Sequence, residues 1–165
     1  MKTSEEIKKI AVKTIEEQLA AINKIKTSIN SDFVNAINLI LNSKGRLIVA
    51  GIGKSANIAN KMVATFNSTG QPSVFLHAAD AIHGDLGNIQ NGDIVICISK
   101  SGNTSEVKTL IPFIKNMGNK IIALTGNTNS FLAKESDIVL DVSVEKEACP
   151  NNLAPTTSTT AQLIM

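Results

Sequence analysis

Apolar side chains recur at Ile7, Ala11, Ile15, Leu19, Ile22, Ile25 and Ile29, in steps of three and four. That spacing lays one stripe along a helix and predicts a long amphipathic helix over 4–29. Thr3 and Glu6 stand at the spacing of a capping box at its start. A leading stripe of this length is expected to meet a partner subunit as well as its own core. A second helix is predicted over about 32–43 from Phe33, Ile37, Ile40 and Leu41, with Gly45 stopping it.

Beyond Gly45 the period changes. Short β-rich runs occupy 46–50, 73–77, 94–98, 120–124 and 138–141, with helical stretches at about 55–69, 104–117 and 129–135. Almost continuously apolar strands alternating with helices indicate a parallel sheet covered on both faces. Right-handed crossovers leave few ways to connect it. The simplest is an α/β, doubly wound five-stranded parallel sheet in the flavodoxin-like order 2-1-3-4-5, preceded by the long N-terminal helix. Residues 1–45 then form the N-terminal helices and 46–165 the sheet core of a single domain. The segment 155–160 reads as a turn and helix start, and that last helix is expected to run on past Met165.

Length and charge narrow the picture. A chain of 165 residues with 43% hydrophobic residues can bury a core without disulfides or metals. Net charge is only +2, the basic residues are scattered, and Trp and Tyr are absent, so no nucleic-acid surface is expected. The charged opening is not a signal peptide, and no apolar run approaches the roughly 20 residues that span a bilayer. Cys97 and Cys149 lack metal-ligand or CxxC spacing and read as reduced thiols, which points to the cytoplasm.

In an open parallel sheet, ligands bind at the carboxyl ends of strands where the strand order reverses. For the order 2-1-3-4-5 that point lies between strands one and three. The loops there are Gly51-Ile52-Gly53-Lys54-Ser55 and Ser99-Lys100-Ser101-Gly102-Asn103-Thr104. The second opens a helix, whose N-terminal amides and dipole favour a phosphate dianion. Ser99, Ser101 and Thr104 add hydroxyl donors, and Gly102 permits the turn. An ordinary N-capping loop is the plainer alternative. The first loop also matches a relaxed dinucleotide fingerprint, with Asp80 near the place of a ribose-binding acid. A nicotinamide-dependent oxidoreductase is therefore a competing reading, although Lys54 would crowd a pyrophosphate.

Further polar residues fall near the same sheet edge: His83 after strand two, Glu106 on the first turn behind the serine-rich loop, and Glu147 after the last strand. Taken singly, each reads as structural or solvated, and Glu145 with Glu147 as an exposed acidic turn. Taken together with Lys54, they are the set that proton transfer beside a carbonyl needs. No compact metal-ligand set is present, and neither metal nor cofactor is expected.

The segments GlyIleGlyLysSer (51–55), HisGlyAspLeuGly (83–87), SerLysSerGlyAsnThrSerGlu (99–106) and 146–160 together resemble the D-arabinose 5-phosphate isomerases of the sugar isomerase (SIS) superfamily. The serine-rich loop is general to SIS domains, whereas HisGlyAspLeuGly and GluAlaCysPro are more particular to these isomerases. The resemblance implies interconversion of D-ribulose 5-phosphate and D-arabinose 5-phosphate, which feeds the eight-carbon sugar of lipopolysaccharide. It implies catalytic roles for Lys54, His83, Glu106 and Glu147. It places the phosphate at Gly53, Ser55 and the loop Ser99, Lys100, Ser101, Gly102, Asn103 and Thr104. It also implies a homotetramer with active sites at subunit contacts, and in most members paired CBS domains and a further histidine beyond the region covered here. Other readings within the superfamily are a hexulose 6-phosphate isomerase and a non-catalytic sugar-phosphate sensor.

Overall fold

The computed structural model describes residues 2–165. The first helix, α1 (Ser4–Ile25), starts at the expected capping box: the Thr3 hydroxyl accepts from the Glu6 amide at 3.3 Å, and the Glu6 carboxylate accepts from the Thr3 amide at 2.7 Å. A 3-10 turn, Lys26–Ser28, ends it. The predicted stripe is covered only near its C-terminus, where Ile25 is buried; Ile7, Ile15 and Leu19 stay exposed. The side of α1 that meets the domain carries Glu17, Gln18 and Lys24, which bond Lys146, Thr160 and Glu145.

The second helix, α2 (Ser31–Asn42), is capped by the Asn30 side chain and closes at Ser43. Gly45 does not stop it. A Cβ at Gly45 would collide with the Gly92 carbonyl, so the glycine serves a close backbone approach instead. The remaining elements are β1 (Leu47–Gly51), α3 (Lys54–Ser68), β2 (Ser73–His77), α4 (Ala78–Ile82), β3 (Ile94–Ser99), α5 (Ser105–Asn116), β4 (Lys120–Thr125), α6 (Phe131–Glu135), β5 (Ile138–Asp141) and α7 (Thr157–Ile164). The short α4 and the 3-10 turn Asp85–Asn88 that follows it lie in a stretch with no predicted element.

All strand pairs are parallel and the order is β2-β1-β3-β4-β5, as expected. The central strands are buried along nearly their whole length, so apolar residues face both ways. Ile48, Ala50, Val95 and Cys97 point to one layer, where they meet Leu110, Ile111 and Ile114 of α5. Leu47, Val49, Ile94 and Ile96 point to the other, beside Ala36 of α2, Ala59 of α3 and Ala161 of α7. Gly51 at the end of β1 pairs in register with His77 of β2 and Ile98 of β3. The loops after these three strands therefore leave the sheet side by side. Among the described residues no helix is long and apolar enough to cross a membrane.

At the opposite edge, a buried acid ties β1 to β3. Asp93 accepts from the Arg46 amide, the Gln90 amide and the Arg46 guanidinium, each at 2.8 Å. Burial pushes its carboxyl up, but the guanidinium and the two amides outweigh that and hold it below the ordinary 3.8. Replacing Asp93 with Asn weakens the pair and leaves an amide without its acceptor. The expected loss is about 2 kcal/mol of unfolding free energy in urea titrations at neutral pH.

Candidate phosphate-binding site

Two helices begin at the carboxyl edge of β1 and β3, and neither is closed by a side chain. Gly53 (φ +60°) is the N-cap of α3, and Thr104 is the N-cap of α5; no side-chain cap bond forms at either. Elsewhere Thr3, Asn30 and Ser130 close α1, α2 and α6 with side-chain oxygens. Thr104 fails to cap because its hydroxyl is bonded to that of Ser99 at 2.8 Å. The first-turn amides of α5 thus remain donors at the positive end of a helix dipole.

The loop between β3 and α5 is already folded around itself. The Gly102 amide donates to the Ser99 hydroxyl at 3.1 Å, and the Asn103 amide to the Ser101 hydroxyl at 3.2 Å. Gly102 has φ +62°, and a Cβ there would overlap the Ser130 side chain. Asn103 does not face the cavity chemistry. Its side-chain oxygen accepts from the Phe131 amide at 3.1 Å and braces the loop against α6. A ligand here meets a loop that needs little ordering, which reduces the entropic cost of binding.

Between the two loops lies a cavity of about 230 Å³. Lys54, Ser55, Ser99, Lys100, Ser101 and Thr104 line one side, and Ser158, Thr159 and Gln162 of α7 close the other. A larger cavity, about 380 Å³, opens under α2 and α3 against Met165; its lining is mainly apolar, with Thr69 and Gln71 as its polar side chains, and holds no titratable group. The smaller one sits where the loops after β1 and β3 leave the sheet side by side.

Glu147 is buried, not part of an exposed turn. Its carboxylate accepts from Lys100 Nζ at 2.7 Å and from the Ser158 hydroxyl, and from the Thr156 and Ser158 amides at 2.8 and 3.1 Å. It closes the N-terminus of α7 from outside the helix. Asn152, at φ 54°, turns the chain back so that its side chain accepts from the Glu147 amide at 2.7 Å. Burial pushes the Glu147 carboxyl up, yet the Lys100 and Ser158 side chains and the α7 amides outweigh it and bring it down to about 2. The Lys100 ammonium, on a residue that lines the cavity, is thereby committed to Glu147.

Glu106 and His83 lie outside the cavity lining. Glu106 sits half-exposed on the first turn of α5, accepts from the Ser105 hydroxyl at 2.8 Å, and is held below 4.5 chiefly by its own backbone amide and by Ser105, with a smaller contribution from the charge of His77. His83 is exposed at the end of α4. His77 was not singled out by the sequence, where it reads as the last residue of a strand. In the fold it ends β2 beside the switch point, and its Nδ1 is buried 3.5 Å from the Asp80 carboxylate without a hydrogen bond. A histidine at the carboxyl end of a strand next to the reversal of strand order was the available signal.

Residues 39–165 match the SIS domain. The chain belongs to the SIS domain family. The arabinose 5-phosphate isomerase KpsF of Escherichia coli is 51% identical over 148 residues, which are 89% of this chain and 45% of that protein. The arabinose 5-phosphate isomerase KdsD of Pseudomonas aeruginosa is 48% identical over 155 residues, 94% of this chain and 48% of that one. The E. coli CFT073 protein c3406, in complex with arabinose 5-phosphate, superposes with a TM-score of 0.95 at 37% identity, over 99% of this chain and 87% of that one. This SIS chain spans about half the length of the curated relatives it matches.

The low pKa of Glu147 makes the anchoring of α7 pH-dependent in a defined direction. Because the folded value of about 2 lies below the ordinary 4.5, the stabilisation is complete above 4.5 and lost as pH falls toward 2. In urea unfolding series, the stability advantage of the wild type over Glu147→Gln is expected to be constant from pH 7 to about 5 and to shrink steadily below that. An advantage independent of pH would show that the carboxylate is not what holds α7.

Proposed function

We propose that this SIS chain is the isomerase domain of an arabinose 5-phosphate isomerase, interconverting D-ribulose 5-phosphate and D-arabinose 5-phosphate in the cytoplasm on the route to the eight-carbon sugar of lipopolysaccharide. The observation that carries the reading is the pair of unclosed helix N-termini facing one small cavity together with Lys54 and the hydroxyls of Ser55, Ser101 and Thr104. Such an array of donors suits a phosphate dianion. The names of the curated relatives and the arabinose 5-phosphate complex of c3406 support the choice of sugar. Residues 1–165 act as one SIS domain in this reading.

With the phosphate held at α5, an isomerisation removes the C1 proton of the ketose and returns it to C2 through an enediol. Lys54 supplies positive charge to the oxygen on which negative charge develops, a role worth several kcal/mol in comparable sites. Of the two carboxylates, Glu106 is the better base. It is half-exposed, with the Ser105 hydroxyl as its one side-chain partner. The Glu147 oxygens are fully engaged, and at about 2 the group is a poor proton acceptor. Glu147 therefore positions Lys100 and α7. His83 is the candidate for the sugar hydroxyls and for ring opening.

The test is turnover of D-ribulose 5-phosphate to D-arabinose 5-phosphate. Glu106→Gln is expected to lose about 10³-fold in rate while keeping sugar-phosphate affinity. Full activity in that variant would remove Glu106 from the mechanism.

The exposed Ile7, Ile15 and Leu19 of α1 support a homotetramer with active sites at subunit contacts. Sedimentation should return a tetramer for the wild type and a smaller species for the double substitution Ile15→Lys and Leu19→Lys. A wild-type monomer would rule the assembly out.

A further inference from the structure

Ser99 ends β3 at the border of the cavity, with only 3% of its surface exposed. Its hydroxyl stands between two groups of the loop that follows. The oxygen accepts from the Gly102 amide at 3.1 Å and lies 2.8 Å from the Thr104 hydroxyl. Each hydroxyl has one hydrogen to give. If Thr104 were the donor, the hydrogen of Ser99 would be buried, and among the described residues no other acceptor is bonded to it. Buried donors are nearly always paired, so Ser99 donates and Thr104 accepts. The hydrogen of Thr104 is then left over, on a half-buried residue that lines the cavity with Lys54 and Ser55.

The same bond acts on the helix behind it. A threonine at an N-cap ordinarily turns its oxygen to the amides of the first turn and closes them. Thr104 is the N-cap of α5 and makes no such bond. We propose that Ser99 is a positioning residue for the phosphate: it holds the Thr104 oxygen away from the α5 amides and leaves the Thr104 hydrogen to a phosphate oxygen. This role replaces the direct phosphate contact that the loop sequence suggested for Ser99, and it rests on the phosphate reading given above.

Ser99→Ala isolates the role, because the Gly102 amide also donates to the Ser99 carbonyl at 3.1 Å and keeps that bond. The experiment is calorimetric titration of inorganic phosphate and D-arabinose 5-phosphate into the full chain, Ser99→Ala, Thr104→Val and the double variant, with thermal unfolding of each. Ser99→Ala is expected to bind both ligands about tenfold more weakly and to unfold at or above the wild-type temperature, since the released Thr104 caps α5. Thr104→Val is expected to lose about tenfold as well, and the double variant no more than Thr104→Val alone. Losses that multiply in the double variant overturn the assignment, because Ser99 then reaches the phosphate independently of Thr104. Wild-type affinity in Ser99→Ala overturns it too, and so does a lower unfolding temperature, which would assign the hydroxyl to the fold. A wild type that binds neither probe overturns the phosphate reading and this inference with it.

Discussion

The carboxylate of Glu147 joins parts of the chain that have no other reason to meet. Its two oxygens receive the Lys100 ammonium from the loop after β3 and the amides and hydroxyls at the start of α7. An unpaired buried carboxylate would be strongly unfavourable, so this position is occupied only when all of those donors are in place. An eight-residue helix such as α7 has little stability of its own. Its location is set by this anchor and by Ala161 entering the layer of Leu47 and Val49. Since α7 forms one wall of the cavity, the Glu147 anchor also positions that wall.

The helix termini divide into closed and open ones. Side-chain oxygens close α1, α2 and α6, and Glu147 closes α7. Among the longer helices, the cap is withheld only where α3 and α5 reach the cavity, by Gly53 in one case and by diversion of Thr104 to Ser99 in the other. An uncapped terminus is less stable by about 1 kcal/mol, which an arriving anion can restore. The open terminus of α5 is braced by bonds of its loop, from Gly102 to Ser99 and from Phe131 to Asn103.

Much of this could be read from local order. Strand periods, the capping box at Thr3 and the order 2-1-3-4-5 follow from patterns that repeat within a few residues and from the handedness of crossovers. Lys54, Ser55 and the 99–104 loop could be named because topology places the ends of β1 and β3 side by side, and Gly51 and Ile98 are indeed paired there. The stretch 78–93 was not legible, because α4 spans only Ala78–Ile82 and is set by burial of Ala78 and Ala81 rather than by periodicity.

What the sequence determined by itself is the scaffold and which two loops meet at the carboxyl edge of β1 and β3, since both depend on local propensity and a few topological rules. Tertiary structure alone decided what individual polar groups do. Glu147 read by itself as half of a solvated acidic pair, and through the family resemblance as a catalytic carboxylate; its burial and its bonds make it an anchor. Gly45 looked like a helix stop until Gly92 came against it. Gln162 and His77 carried no signal, because an unpaired carboxamide or imidazole nitrogen is defined by which distant atoms fail to reach it. Hydrogen-bond satisfaction and desolvation are properties of three-dimensional neighbours, and those neighbours are brought together only by the folded chain.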